Sequence, residues 1–161
     1  MAGYLKIGDI KGESTDDGHK DWINLLSVSN NISRPMSAGA SGSTRHRSSA
    51  TFGDIVCVKE VDASTPKLQE AIADGTSFPK VNIDLTTSSE GGKRIPYLQW
   101  ELKQARVSSY SVSGSTDGSS VPTEQISLNF EEIKVTYDKL GKDNKSSGKV
   151  EYTWKIEEGV K

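Results

Sequence analysis

The stretch Glu124-Gln125-Ile126-Ser127-Leu128-Asn129-Phe130-Glu131-Glu132-Ile133-Lys134-Val135-Thr136-Tyr137-Asp138 decides the fold class. Ile126, Leu128 and Phe130 point one way with period two. Ile133, Val135 and Tyr137 continue in the opposite phase, and the slip falls at Glu131-Glu132. Alternation of this kind marks a half-buried strand. A slip of one residue exchanges the strand's faces. The usual physical cause is a bulge where a strand bends from one sheet into another, so the spacing predicts a barrel corner here. An irregular edge strand is the alternative reading.

Working outward, the same alternation recurs. Val150, Tyr152, Trp154 and Ile156 interleave with Lys149, Glu151, Thr153 and Lys155. Val81, Ile83 and Leu85 form another apolar row, and Leu98, Trp100 and Leu102 a third. Residues 4–10 read as a short first strand and 51–61 as a more fully buried one, while the Ser-rich segment 105–113 is undecided. Eight strands in all give an all-β class with a closed or nearly closed sheet. Trp22, Trp100 and Trp154 fall at parities that read as buried, which disfavours an exposed aromatic binding face.

One helix is signalled, at about 65–74. Ser64 or Thr65 is the N-cap, Pro66 sits in the first turn, and Gly75 supplies the left-handed stop. Leu68, Ala71 and Ile72 make a narrow apolar stripe that must pack on the sheet. Two stretches break the β pattern: the long Gly/Ser-rich segment 34–49 and the connector 113–120. Residues 141–148 read as a turn between the last two strands.

At 161 residues the chain is expected to be a single domain, 1–161. Its 20 Lys and Arg against 22 Asp and Glu leave a net charge of -2, which argues against nucleic acid as a partner. No window approaches the ~20 apolar residues of a membrane helix, so no membrane insertion is expected. MAGYLKIGD carries no signal-peptide run, so Sec-type export is not expected. The single cysteine, Cys57, allows no intrachain disulfide and reads as a small core residue. With 33% hydrophobic residues the core is small, and part of the stability is expected to come from neighbouring molecules.

Catalytic chemistry finds little support. The two histidines are His19, in a charged turn, and His46, in the long loop. Neither has the preorganised frame a metal site or triad needs. There is no Gly-x-Ser-x-Gly elbow, no Walker motif and no dinucleotide fingerprint. Glu131 and Glu132 are adjacent on a strand and so face opposite ways. No catalytic, cofactor or metal residue is assigned, and the chain is read as not an enzyme.

Two surface features stand out instead. Arg34, Arg45, His46 and Arg47 make the 34–50 loop basic, which suits either carboxylates on another protein surface or a solvated loop tip. In 22–32, Trp22, Leu26, Val28 and Ile32 share one parity. Ile23 and Leu25 share the other and are followed by Ser27, Ser29 and Asn31, so that face ends in a small, uncharged polar row. Such a row suits a strand leaving the core for solvent or a wet wall facing a cavity or channel.

Four stretches resemble the haemolysin-coregulated protein (Hcp) family, in order and at familiar spacing from residue 4 to about 157. Leu5-Lys6-Ile7-Gly8-Asp9-Ile10-Lys11-Gly12-Glu13-Ser14 is similar to the family's first strand and turn. Val58-Lys59-Glu60-Val61-Asp62-Ala63-Ser64-Thr65-Pro66-Lys67-Leu68 resembles its strand-to-helix signature. Gln125 to Phe130, continuing through Val135-Thr136-Tyr137, resembles its long C-terminal strand, and Tyr152-Thr153-Trp154 its last strand.

The resemblance implies a compact β-barrel of two antiparallel sheets with one short flanking α-helix. It implies six copies in a ring, and rings stacked into the inner tube of the type VI secretion system. A contractile sheath surrounds that tube, a spike protein tips it, and effectors ride inside. The protein is then made in the bacterial cytoplasm and leaves through the machine. Ser27, Ser29 and Asn31 are candidates for the lumen wall. Arg34, Arg45, His46 and Arg47 are candidates for ring stacking. A phage tail-tube subunit, or a monomeric ligand-binding β-barrel such as a carbohydrate-binding module, are the competing readings.

Overall fold

The computed structural model describes residues 1–35, 50–89 and 91–159. Among them are eleven strands and one helix. The strands are β1 (Ala2–Ile7), β2 (Ile23–Leu25), β3 (Ser27–Ser29), β4 (Ile32–Ser33), β5 (Thr51–Phe52), β6 (Ile55–Glu60), β7 (Phe78–Ser88), β8 (Arg94–Ser113), β9 (Thr123–Asn129), β10 (Glu132–Leu140) and β11 (Ser146–Lys155). The helix is α1 (Thr65–Asp74). The expected count of eight strands is corrected to eleven, because single expected strands divide where the chain turns a corner. Thus 51–61 splits at Gly53-Asp54 into β5 and β6, and 124–138 splits at Phe130-Glu131 into β9 and β10.

The fold is a barrel of two antiparallel sheets that share β8. One sheet runs β2-β1-β7-β8-β10-β11, the other β8-β9-β6-β3. The first part of β8 pairs with β10 and its last part with β9. The ribbon therefore bends between sheets at the level of Phe130-Glu131. On the partner strand, Gln104 bends at the same level with φ 49°, a left-handed conformation that costs a non-glycine residue energy. The phase slip in the sequence is this corner.

The 105–113 segment was undecided because it contains a second slip. Val107 pairs with Leu128, but Ser109 pairs with Ser127, so Ser108 is an extra residue. The bulge reverses the faces: Ala105 and Val107 are buried before it, Tyr110 packs on the core after it. Ser108 is held by donating to Asp54 Oδ2 at 2.5 Å, with the Ser127 carbonyl as a second acceptor within reach at 3.2 Å.

The opposite corner is Leu26. β2 lies at the edge of one sheet and β3 at the edge of the other, with only Leu26 between them. Leu26 N donates to the Val58 carbonyl at 2.7 Å. Covalent continuity brings the two sheet edges together, although no ladder closes the barrel. The corner also corrects the reading of 22–32. Ile23 and Leu25 are buried, whereas beyond Leu26 it is Val28 that turns to the core. The polar row is therefore on the face opposite to Ile23 and Leu25, not a continuation of theirs.

The core lies between the sheets. Leu5, Ile7, Ile23, Ile55, Val81, Ile83, Leu102, Ile126, Leu128 and Ile133 are all fully buried, each contributing about 1.5–3 kcal/mol relative to exposure. The helix closes one flank with Leu68 and Ala71, as its stripe predicts. Gly75 ends it at φ 70°, which glycine adopts without penalty. Ser64 is the N-cap by position, but its hydroxyl donates to Asp62 rather than capping the helix.

Candidate assembly surfaces

The registers arrange the core-facing side of the larger sheet in rows. One row is Ile7, Val81, Leu102, Ile133 and Trp154. The next is Ile23, Leu5, Ile83, Trp100, Val135 and Tyr152. A third is Leu25, Gly3, Leu85, Leu98, Tyr137 and Val150. The first row is packed throughout; Trp154 stacks on Phe52 with ring centroids 6.2 Å apart. Cover fails toward β11 in the other two rows. Tyr152 is 39% exposed, Tyr137 48% and Val150 71%. The expectation of a half-buried Val150-Tyr152-Trp154-Ile156 row holds for Trp154 and Ile156, which pack on the core, and fails for Val150 and Tyr152. The reason is reach: alternation gives the face, but only the smaller sheet decides how much of that face it covers.

At the other end of the third row lies a groove of about 290 Å³ bounded by Met1, Gly3, Leu25, Leu26, Leu85 and Tyr97. At Gly3 the neighbours close in on the missing side chain, since a Cβ there would press within 3.2 Å of Leu85 and 3.3 Å of Leu25. Tyr97 is the extra residue of a bulge, because Leu85 pairs with Leu98 but Thr86 with Pro96. Leu26, at the barrel corner, is 59% exposed.

Ser27, Ser29 and Asn31 are all exposed, and Ser27 and Ser29 fall on the side of β3 opposite to Val28. Within β3 the alternation places Ser27 and Ser29 on one face, and Asn31 follows beyond the strand's end. Arg34 is exposed just beyond the β4–β5 ribbon, in which Ile32 pairs with Phe52 and Ser33 with Thr51. That ribbon packs against Trp154 through Phe52. Arg45, His46 and Arg47 lie outside the described residues.

Two buried polar clusters were missed by sequence reasoning. The first stands at the start of α1. Lys59 is fully buried, and its Nζ donates to Asp62 Oδ1 at 2.8 Å, to the Glu60 carbonyl at 2.8 Å, and to Glu124. Glu124, also buried, accepts from Thr65 Oγ1 at 2.9 Å and Tyr110 Oη at 2.6 Å. Burial, then the bond to Glu124, pushes the Tyr110 phenol above its ordinary pKa. A signal was present: Lys59 is in phase with Ile55 and Cys57, and Glu124 with Ile126 and Leu128, so both point inward.

The second cluster is around His19. The charged turn is as expected, but the imidazole is only 3% exposed. Its Nδ1 lies 2.7 Å from Asp16 Oδ2, and its Nε2 2.9 Å from Asp84 Oδ2 on β7. It stacks on Tyr4 at 4.3 Å and meets Trp22 edge-on at 4.8 Å. Gln99 Nε2 donates to the other oxygen of Asp84 at 3.0 Å. No local pattern announces this, because Asp84 is 65 residues away. The loop's tight path is permitted by Gly12, where any Cβ would collide with the Trp22 carbonyl.

Every buried side-chain nitrogen and oxygen among the described residues has a hydrogen-bond partner, and both clusters join separate elements of the fold. No group of three or more His, Cys, Asp or Glu among the described residues is placed to hold a metal ion. Cys57 is buried, and desolvation pushes its thiol up to about 12, which suppresses the nucleophilic thiolate. No helix among the described residues is long and apolar enough to cross a membrane.

Comparison with known proteins converges on one group. Residues 4–137 match the family described as "Type VI secretion system effector, Hcp". The chain is 35% identical to Protein hcp1 of Pseudomonas aeruginosa over 159 residues, covering 98% of this chain and 96% of that protein. Among solved structures, one described as a type six secretion system protein superposes with a TM-score of 0.90 at 26% identity, covering 98% of this chain and 97% of that one. Hcp1 from Salmonella typhimurium superposes with a TM-score of 0.77, also at 26% identity, with 98% and 95% covered.

Proposed function

The chain belongs to the Hcp family of type VI secretion proteins, and from that premise we propose that it is a structural subunit of the secretion tube. Six copies close into a ring, and rings stack into a tube that carries effectors and is expelled when the surrounding sheath contracts. The observation that carries this reading is the bare apolar face of Tyr137, Val150 and Tyr152 beside β11, a ten-residue strand at the edge of its sheet. Long edges and contiguous apolar faces are normally covered. A copy of the same chain is the cover that a ring supplies. The sheath, the spike and the effectors are the further partners, and the protein leaves the cytoplasm through the machine itself. Its role is mechanical, with no chemical step.

The test is direct. Concentrated purified protein should scatter light as an oligomer and appear in negative stain as rings with a central hole. A chain that is monomeric at every concentration overturns the reading.

In this tube Arg34, Arg45 and Arg47, with His46, meet carboxylates of the next ring. The double variant Arg45→Glu/Arg47→Glu should weaken stacking at least about tenfold, equivalent to about 1.4 kcal/mol, because like charges then face each other. The rings should stay whole. Stacks of unchanged length would remove the loop from the stacking contact.

Ser27, Ser29 and Asn31 line the lumen. Their short hydroxyl and amide groups wet the wall without fixing a partner. In Ser29→Glu a ring of like charges faces the cargo, and retention of an acidic effector should fall about tenfold. Full retention in intact rings would place the row elsewhere.

A further inference from the structure

We propose that His19 carries hydrogen on both ring nitrogens in the folded protein, and that this imidazolium is a proton-dependent latch holding the 8–22 loop on β7. Counting donors leads there. Nδ1 lies 2.7 Å from Asp16 Oδ2, and Nε2 2.9 Å from Asp84 Oδ2. An ionised carboxylate only accepts hydrogen bonds, and a neutral imidazole has a single N–H. A neutral ring between two carboxylates would therefore set a nitrogen lone pair against an oxygen at hydrogen-bond distance. One further proton removes that conflict.

The surroundings put this proton on the ring. Asp84 accepts from Gln99 Nε2 through its other oxygen at 3.0 Å, a bond that supports the negative charge. The imidazole lies flat on Tyr4, with planes 9° apart, and the face of an aromatic ring attracts a cation. The other charges come from each element packed on the site. Asp17, Lys20 and Asp21 are exposed in the loop itself. On β1, Lys6 Nζ stands 5.9 Å from the centre of the Trp22 ring. On β8, Arg94 stands by the Tyr4 phenol, which burial and then the charge of Asp16 raise above its ordinary pKa. Tyr4 is thus neutral while the imidazole titrates. With the proton in place, His19 ties Asp16 in the loop to Asp84 in the sheet. As pH rises and the proton leaves, one of the two bonds becomes a lone pair facing a carboxylate, and the tie weakens. As pH falls far enough to protonate the carboxylates, it weakens from the other side. The loop is held in the window between.

The experiment labels histidine with nitrogen-15 in the full chain and sediments the protein for solid-state spectroscopy, so that free and assembled copies are both read. The chain has two histidines, and His46→Gln assigns the signals. At neutral pH both nitrogens of His19 should show the shift of a protonated nitrogen. Amide protection is followed in parallel. Over the pH range in which His19 loses a proton, protection at Gly12, Ser14 and Asp21, whose N–H groups bond across the loop, should fall at least about tenfold, the worth of one hydrogen bond to a charged group. Val81 and Ile83 on β7 should keep theirs. In His19→Gln, which offers a donor and an acceptor but does not titrate, loop protection should be constant over that range. A bare nitrogen on His19 at neutral pH, in protein whose loop is protected, places the proton on a carboxyl and overturns the proposal. A doubly protonated ring that loses its proton with no loss of loop protection overturns it as well, since the cluster is then a fixed tie. Both outcomes are read from protein with native His19, so they decide the matter even where His19→Gln does not fold.

Discussion

Replacing Lys59 by methionine should lower the stability of the fold by about 3–5 kcal/mol, the cost of breaking a buried ion pair from one side. Lys59 has no exposed surface and holds Glu124, Asp62 and the Glu60 carbonyl at once. Methionine keeps much of the volume and removes the charge. Glu124 is then left as a buried carboxylate supported only by the hydroxyls of Thr65 and Tyr110, two neutral donors in place of a cation. The same cluster fixes the start of α1 against β9, so the loss should appear as local loosening of the helix as well as global destabilisation. Urea unfolding with an unchanged slope and a lower midpoint is the expected result. The double variant Lys59→Met/Glu124→Leu should recover a large part of the loss, because a buried pair replaced by apolar groups is often nearly neutral. A single-variant loss below about 1 kcal/mol would mean that the pair behaves as a surface bridge.

His19→Ala should cost about 3–5 kcal/mol, because it empties a packed aromatic site and takes a hydrogen-bond partner from two carboxylates. Here two carboxylates, Asp16 and Asp84, lose their shared partner, with side-chain exposures of only 17% and 7%. The variant also removes a ring stacked on Tyr4 and edged by Trp22, worth about 0.5–1.5 kcal/mol per pair beyond burial. The effect should spread along the 8–22 loop, which His19 ties to β7. Faster amide exchange at Gly12, Ser14 and Asp21, whose N–H groups bond across the loop, should accompany the fall in stability. Lys11, whose contact with Asp21 is 3.9 Å long and largely solvent-exposed, serves as the control: Lys11→Ala should change stability by less than about 0.5 kcal/mol. Equal effects at the two positions would refute the distinction between a buried and a surface network.

Both clusters show where reading a sequence stops. Lys59 was legible in principle, since its parity with Ile55 and Cys57 points it into the core. An isolated lysine on a strand normally reaches solvent, so parity alone does not announce a buried ion pair. His19 was not legible, because its burial is made by Asp84 and Tyr4, which meet it only after β1 and β7 have paired. The surface features divide in the same way. Ser27 and Ser29 are exposed as their alternation in β3 requires, and Asn31 is exposed beyond its end. That Ile23 and Leu25 do not share their face follows from the corner at Leu26, where the change of sheet reverses the phase.

The sequence alone determined the class, the helix with its stop at Gly75, the corner near Glu131 and the family, because these depend on local periodicity, turn chemistry and motif order. The tertiary structure alone decided the number of strands, the burial of His19, the bareness of Val150 and Tyr152, and the groove beside Gly3. Each of these is set by what lies across from a residue rather than beside it in the chain. A period of two tells which way a side chain points, but only the opposite sheet determines whether anything is there to meet it.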